Sequence, residues 1–368
     1  MNQIRCLPAP KTGGLESKAG HPRSNEFIRS VVEMADDNNR TNEFVTTGAR
    51  LVLSAVTGCI RAGIRTTVIL LIAVPVLAHE GEPPAPHDLW TAWSFEPLVI
   101  VSLIVSAWLY VRGVRRVWRQ AEAGRGVRWW EAASFAGGWL ALVVALVSPV
   151  DALGSALFSA HMLQHEILMV VAAPLLVISR PLTAWLWAVP LEWRRRAGRF
   201  GRVGEVQTVW RGMTNLLKAW LIHALVLWVW HVPKLFQATL ENEWIHAAQH
   251  LSFLISALLF YEALLTRRTG EMRAGAGVLY VFTTAVHTSV LGALLTFSNT
   301  IWYPVYRETT AAWGLSPIED QQLGGLMMWV PAGVVYIVGG LALFGLWLRE
   351  SDRSLRRREN AVMFEAGD

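Results

Sequence analysis

Seven apolar segments, each close to the length of a membrane span, constrain this chain more than any other feature. They cover roughly residues 97–111, 132–149, 157–178, 216–232, 244–265, 276–297 and 323–348. A hydrocarbon core about 30 Å thick takes about 20 apolar residues in a helix. Within it, only helices or closed barrels satisfy every backbone polar group. No strand-like alternation and no Rossmann-type glycine pattern interrupts the segments. The expected fold class is therefore all-α: a polytopic membrane helical bundle with seven core transmembrane helices. Composition agrees. Only 17% of residues are charged, against about 25% in soluble domains. There are nineteen tryptophans, a residue favoured at membrane–water interfaces.

The basic residues fall in blocks between the apolar segments rather than over a surface, which sets aside a nucleic-acid binder. Six arginines follow the first segment (Arg112, Arg115, Arg116, Arg119, Arg125, Arg128) and seven the third (Arg180, Arg194, Arg195, Arg196, Arg199, Arg202, Arg211). Three follow the fifth (Arg267, Arg268, Arg273) and five the seventh (Arg349, Arg353, Arg356, Arg357, Arg358). The opposite connections hold only Lys234 and Arg307. Positive charge accumulates on the cytoplasmic side, so the expected orientation has the C-terminus in the cytoplasm. The matching localisation is the bacterial cytoplasmic (inner) membrane.

Ahead of the bundle, residues 1–49 are polar and aperiodic and read as a disordered extension, with Met34 as an alternative start. Residues 50–78 carry arginines, then a short apolar run ending at Ala78. This is the pattern of a secretory signal or an anchor. Residues 79–96 form an acidic, proline-rich exposed linker, 97–350 the membrane domain and 351–368 a cytoplasmic tail. The two cysteines, Cys6 and Cys59, form no CxxC or CxxxC pair, which argues against thiolate metal sites and thiol redox chemistry.

With orientation set, helical rise gives depth. His161 and His165 fall in the outer half of the third segment, His231 at the outer end of the fourth, and His246 and His250 in the first two turns of the fifth. His223 is about 12 Å deeper than His231, and His287 lies near the middle of the sixth segment. Two of the pairs are HxxxH, which puts both imidazoles on one helix face. That spacing serves two ligands on one metal, or one ligand on each of two metals. Ionisable groups inside a membrane are costly and mark functional sites, although a single histidine also serves as an interhelical hydrogen-bond donor. Glu166, beside His165, reads as an orienting or proton-carrying group. Asp320 reads as a further ligand, an outer-shell group or a helix cap. Met169, Met327 and Met328 read as thioether donors suited to Cu(I), or as packing.

HMLQHEILMVVAAPLL (from 161), WVWHVPKLFQATLENEWIHAAQHLSFL (across the fourth and fifth segments) and DQQLGGLMMWVPAG (from 320) resemble the CtaG-type cytochrome c oxidase assembly factors. HDLWTAWSFEPLVIVSLIVSAWLYVRGVRRVWR, around the first segment, is similar too. The likeness covers about 85–350. It implies a membrane protein, not an enzyme, that matures a haem–copper oxidase and delivers copper. Its partners would be the oxidase subunits and other copper chaperones. The matching positions are His161, His165, His231, His246, His250 and Asp320. Two other functions compete on the residues alone: a membrane copper permease, and a b-type cytochrome with axial histidines. An intramembrane metallohydrolase lacks the HExxH pattern.

Overall fold

The computed structural model describes residues 83–265 and 271–365, so the signal-like segment, both cysteines and Met34 lie outside the described residues. Among the described residues every regular element is helical. Among the described residues six helices are long and apolar enough to span a membrane, and seven candidate spans result if one bent pair counts as a single span. The candidate spans are α1 (Pro97–Ala121), α2 (Trp129–Leu146), α4 (Phe158–Ser179), α8 (Leu216–Trp230, the second half of the bent pair), α10 (Glu243–Leu265), α11 (Glu271–Thr296) and α12 (Pro317–Glu365). Short helices join them: α3 (Pro149–Ala156), α5 (Pro181–Ala188), α6 (Leu191–Phe200), α7 (Gly204–Met213) and α9 (Pro233–Glu241).

Helix ends follow local sequence chemistry. Asn215 and Asn242 cap α8 and α10. The Asn242 side chain accepts the Trp244 and Ile245 N–H groups at 2.9 and 3.2 Å. Glu131 accepts the Arg128 N–H at 2.8 Å and opens α2. Pro233 cannot continue α8 and instead begins α9, which leaves His231 at the break. Pro331 stays inside α12, which runs on through the tail to Glu365. The third span contains a π-helical turn, Ile167–Ala172, just ahead of Pro174. α8, at 15 residues, is short for a span; the preceding α7 joins it at a 63° bend.

Two spans are central. The apolar windows of α4 and α10 are 56% and 61% buried inside the protein, against 22% for α1 and 17% for α12. The main core joins Phe158, Met162 and Met169 of α4 to Phe253, Ala257 and Phe260 of α10, with Leu291 and Leu295 of α11 and Tyr336 of α12. α11 meets α12 through small residues. A Cβ on Gly325 would lie 2.7 Å from the Thr296 nitrogen and 2.8 Å from the Gly292 oxygen. Of the two GG pairs, Gly324–Gly325 supports close approach, whereas a Cβ on Gly339 meets nothing. At the arginine-rich end, Arg116 donates to the Ala188 carbonyl at 2.7 Å and so caps α5. Arg112 and Arg194 lie over Trp108 and Trp187 at 5.0 and 4.2 Å.

Candidate metal centre

Three helix ends converge at the end of the bundle opposite the arginine-rich loops. α4 begins there and presents His161 and His165 one turn apart on one face. α10 begins there, set by the Asn242 cap, and presents His246 and His250 in the same way. α8 ends there at His231. Aromatic side chains wall the group. His161 lies 5.0 Å from Phe236 and His165 4.5 Å from Phe253, and Phe158, Phe236, Tyr303 and Tyr306 form an aromatic cluster in which Phe158 stacks on Tyr303.

The two HxxxH pairs face each other as a quadrilateral. Ring centroids are 4.4 Å apart for His161–His165 and 4.2 Å for His246–His250. Across the helices they are 5.3 Å for His161–His246 and 5.2 Å for His165–His250. One ring nitrogen from each of His161, His246 and His250 lies within 4.8 Å of the others. Three ligands about 2.0 Å from one ion stand about 3.5 Å apart, so small side-chain rotations close this triad.

His161 Nδ1, both nitrogens of His165, and Nε2 of His231, His246 and His250 are buried without a hydrogen-bond partner among the described residues. Each such atom costs about 1–3 kcal/mol, and together they approach the net stability of a typical domain, about 5–15 kcal/mol. The nitrogens of His161, His246 and His250 that converge fit a cation. An all-imidazole donor set suits copper or zinc and is a poor match for magnesium or calcium.

Polar neighbours hold the rings. His161 Nε2 lies 3.2 Å from Gln249 Oε1, which leaves Nδ1 with the lone pair when Nε2 carries the proton. Gln164 donates to the Ala145 carbonyl at 2.8 Å and to Asp151 Oδ1 at 2.6 Å, while Ser94 donates to Asp151 Oδ2 at 2.6 Å. The linker, α2, α3 and α4 are thereby tied together beside the histidines. Glu96, just before α1, faces Asp151 and Glu243. Burial first, then those two carboxylates, pushes its carboxyl up to about 7. Asp151 and Glu243 are also within electrostatic reach of His246. Tyr303 donates to the His231 carbonyl at 2.9 Å, and burial raises its hydroxyl pKa, so it remains a donor.

The other sequence-derived positions have different surroundings. Asp320 is 0% exposed and caps α4 rather than its own helix. It accepts the Phe158 N–H at 2.7 Å, the Ser159 N–H at 3.1 Å and the Ser159 hydroxyl at 2.6 Å. Glu166 lies within electrostatic reach of Tyr261 and Tyr336. Met169 and Met328 are buried in the main apolar cluster, with Met327 packed at its edge. His223 Nδ1 bonds the Ser256 hydroxyl at 3.1 Å across α8 and α10, an interhelical bond. His287 lies 5.4 Å from Trp220, and neither of its nitrogens has a partner among the described residues. The hydroxyls of its neighbours Thr283, Thr284 and Thr288 donate to backbone carbonyls of their own helix.

Gln164 and Gln249 are the site residues that the sequence reading passed over. Their signal is a repeated pattern, H-x-x-Q-H, at 161–165 and again at 246–250.

A family model described as the cytochrome c oxidase caa3 assembly factor matches residues 108–350, about two thirds of the chain. An uncharacterised protein of Mycobacterium leprae is 28% identical over 293 residues, which cover 76% of this chain and 43% of that protein. Uncharacterised proteins of Mycobacterium bovis and Mycobacterium tuberculosis are each 28% identical over 289 residues, covering 76% of this chain and 42% of theirs. The chain thus spans less than half the length of these relatives. No solved structure matches it.

Proposed function

The chain belongs to the cytochrome c oxidase caa3 assembly factor family, and from that premise we propose that it binds copper at the histidine group and passes it to a maturing haem–copper oxidase. One observation carries this reading: His161, His246 and His250 bring three ring nitrogens within 4.8 Å of one another, each ring keeping a buried nitrogen without a partner. Neutral imidazoles can bind copper without first giving up a proton, as a thiol would have to, and their nitrogen donors suit the ion. Three ligands leave a coordination position open, through which a donor atom of the recipient can enter as a histidine leaves. The arginine-rich loops argue that the opposite end, with the histidines, faces the outer side of a bacterial cytoplasmic membrane. Release would then occur outward, to oxidase subunits or another copper chaperone, and the chain itself would catalyse no reaction.

The haem reading fits the geometry less well. Axial histidines approach a haem from opposite faces, whereas these rings contact one another directly at 4.2–5.3 Å. Metal analysis of purified protein tests the site: His161→Ala/His246→Ala/His250→Ala should lose the copper that the parent retains. Equal copper in both removes the assignment. Deletion of the gene, with oxidase activity followed with and without added copper, tests the role. Rescue by copper supports delivery, and absence of rescue favours a scaffold.

A further inference from the structure

The triad leaves two of the five histidines unused, and their geometry is specific. His165, one turn deeper along α4 than His161, is 2% exposed, and both its ring nitrogens lack a partner among the described residues. His231, at the end of α8, is 4% exposed. Its Nδ1 lies 2.7 Å from the Leu227 carbonyl, which can only accept, so Nδ1 carries the proton and Nε2 the lone pair. That Nε2 is buried and unpartnered. The backbone of His231 is held independently by the Tyr303 hydroxyl at 2.9 Å. Both rings pack on Phe253, at 4.5 and 6.3 Å, and lie within electrostatic reach of each other.

We propose that the histidine group holds two cuprous ions: an outer one on His161, His246 and His250, and an inner one between His165 and His231. The proposal rests on reading the group as a copper site and adds its stoichiometry and oxidation state. Two neutral imidazoles suffice for Cu(I), a d10 ion that is stable with two opposed ligands. Cu(II) and Zn(II) demand more donors. The inner pair is walled by Phe253, so a monovalent ion costs less there than a divalent one. His165 also lies 4.4 Å from His161 and 5.2 Å from His250, adjacent to the triad, so the second ion is one ligand exchange away from the first.

The test loads purified full-length protein with Cu(I) anaerobically, removes weakly held metal with a chelator, and measures copper per chain together with the X-ray absorption edge. The parent should hold about two copper ions, with the edge feature of two-coordinate Cu(I). His231→Ala and, separately, His165→Asn should hold about one and lose that feature. His246→Ala/His250→Ala should hold about one and keep it. Zinc loading should reach about one ion in the parent. A parent that binds one copper, kept in His165→Asn and His231→Ala, overturns the inner position while the triad stands. One copper lost on changing any of the five histidines means a single shared site and also overturns it. No copper in the parent removes the copper reading itself. A parent that binds only one copper, or two without the two-coordinate edge feature, overturns the inner position whatever the folding of any variant, and His165→Asn and His231→Ala assign it by two independent routes.

Discussion

Asp320 clamps the start of α4, and removing it should loosen the histidine group without touching a ligand. Its carboxylate takes both N–H groups at the α4 N-terminus, from Phe158 and Ser159, and the Ser159 hydroxyl, at 2.6–3.1 Å. A hydrogen bond to a charged acceptor contributes about 1.5–3 kcal/mol, and a buried N–H left without a partner costs about 1–3 kcal/mol. The helix dipole adds about 0.5 kcal/mol in favour of an anion there. Asp320→Asn keeps the shape but turns an amide NH2 toward one of the donors, so it should cost about 2–3 kcal/mol. Asp320→Ala strands both N–H groups and should cost about 4–5 kcal/mol. Ser159→Ala removes one of the three bonds and should cost about 1 kcal/mol. At about 2–4 °C per kcal/mol for a domain of this size, apparent Tm should fall in the order Ser159→Ala, Asp320→Asn, Asp320→Ala, by about 5–10 °C for the asparagine. Thermal unfolding in detergent, followed by tryptophan fluorescence, reads this directly. Copper retention should fall in the same order, because His161 lies three residues from Phe158. Asp320→Asn with an unchanged Tm and unchanged copper would refute the clamp.

Three further changes probe other parts of the structure. Gln249→Leu removes the partner of His161 Nε2; lost outer-shell partners typically cost about 10–100-fold in metal affinity, so competition with a copper chelator should show a drop of that order, and unchanged affinity would mean that Gln249 does not orient the ring. Glu96 bears on pH dependence: a carboxyl raised from 4.5 to about 7 in the fold favours its protonated form, so its contribution is full below 4.5 and is lost as pH rises through 7. Glu96→Gln should match the parent near pH 4 and exceed it at pH 8 by about 1 kcal/mol after discounting for solvent, or about 2–4 °C in Tm; parallel profiles would contradict the shift. Gly325→Leu forces side-chain atoms onto the Thr296 and Gly292 backbone, and should separate α11 from α12 and lower Tm by several degrees, whereas Gly339→Leu, on an open face, should change it little.

The spans were legible because each needs about 20 apolar residues in a row, a signal contained within the segment itself. The break at His231 was legible for the same local reason, since Pro233 forbids continuation of α8. The bend between α7 and α8 was not. α7 carries Glu205, Gln207 and Arg211 among its apolar residues, so its polarity hid its continuity with the span. The two HxxxH pairs were legible as well, since i, i+4 spacing puts each pair on one helix face, and in the fold those pairs face each other. What local arithmetic cannot supply is a partner distant in sequence. Asp320 caps a helix 162 residues away, and Gln249 reaches His161 across 88. From sequence, an aspartate near a helix start reads as the cap of that helix, yet Asp320 lies past the first turn's caps, while Ser316 and Glu319 already bond each other at the α12 start. With its own helix end satisfied, a buried carboxylate needs donors elsewhere, and the open N–H groups of α4 supply them. The same reasoning applies to the repeated H-x-x-Q-H. A glutamine three residues after a membrane histidine lies on the same helix face, and it cannot be buried there unless a neighbouring helix offers it a partner. Two such glutamines therefore mark the faces that turn inward. Gln249 turns to the opposite histidine helix, and Gln164 to the carboxylate of Asp151 and the end of α2.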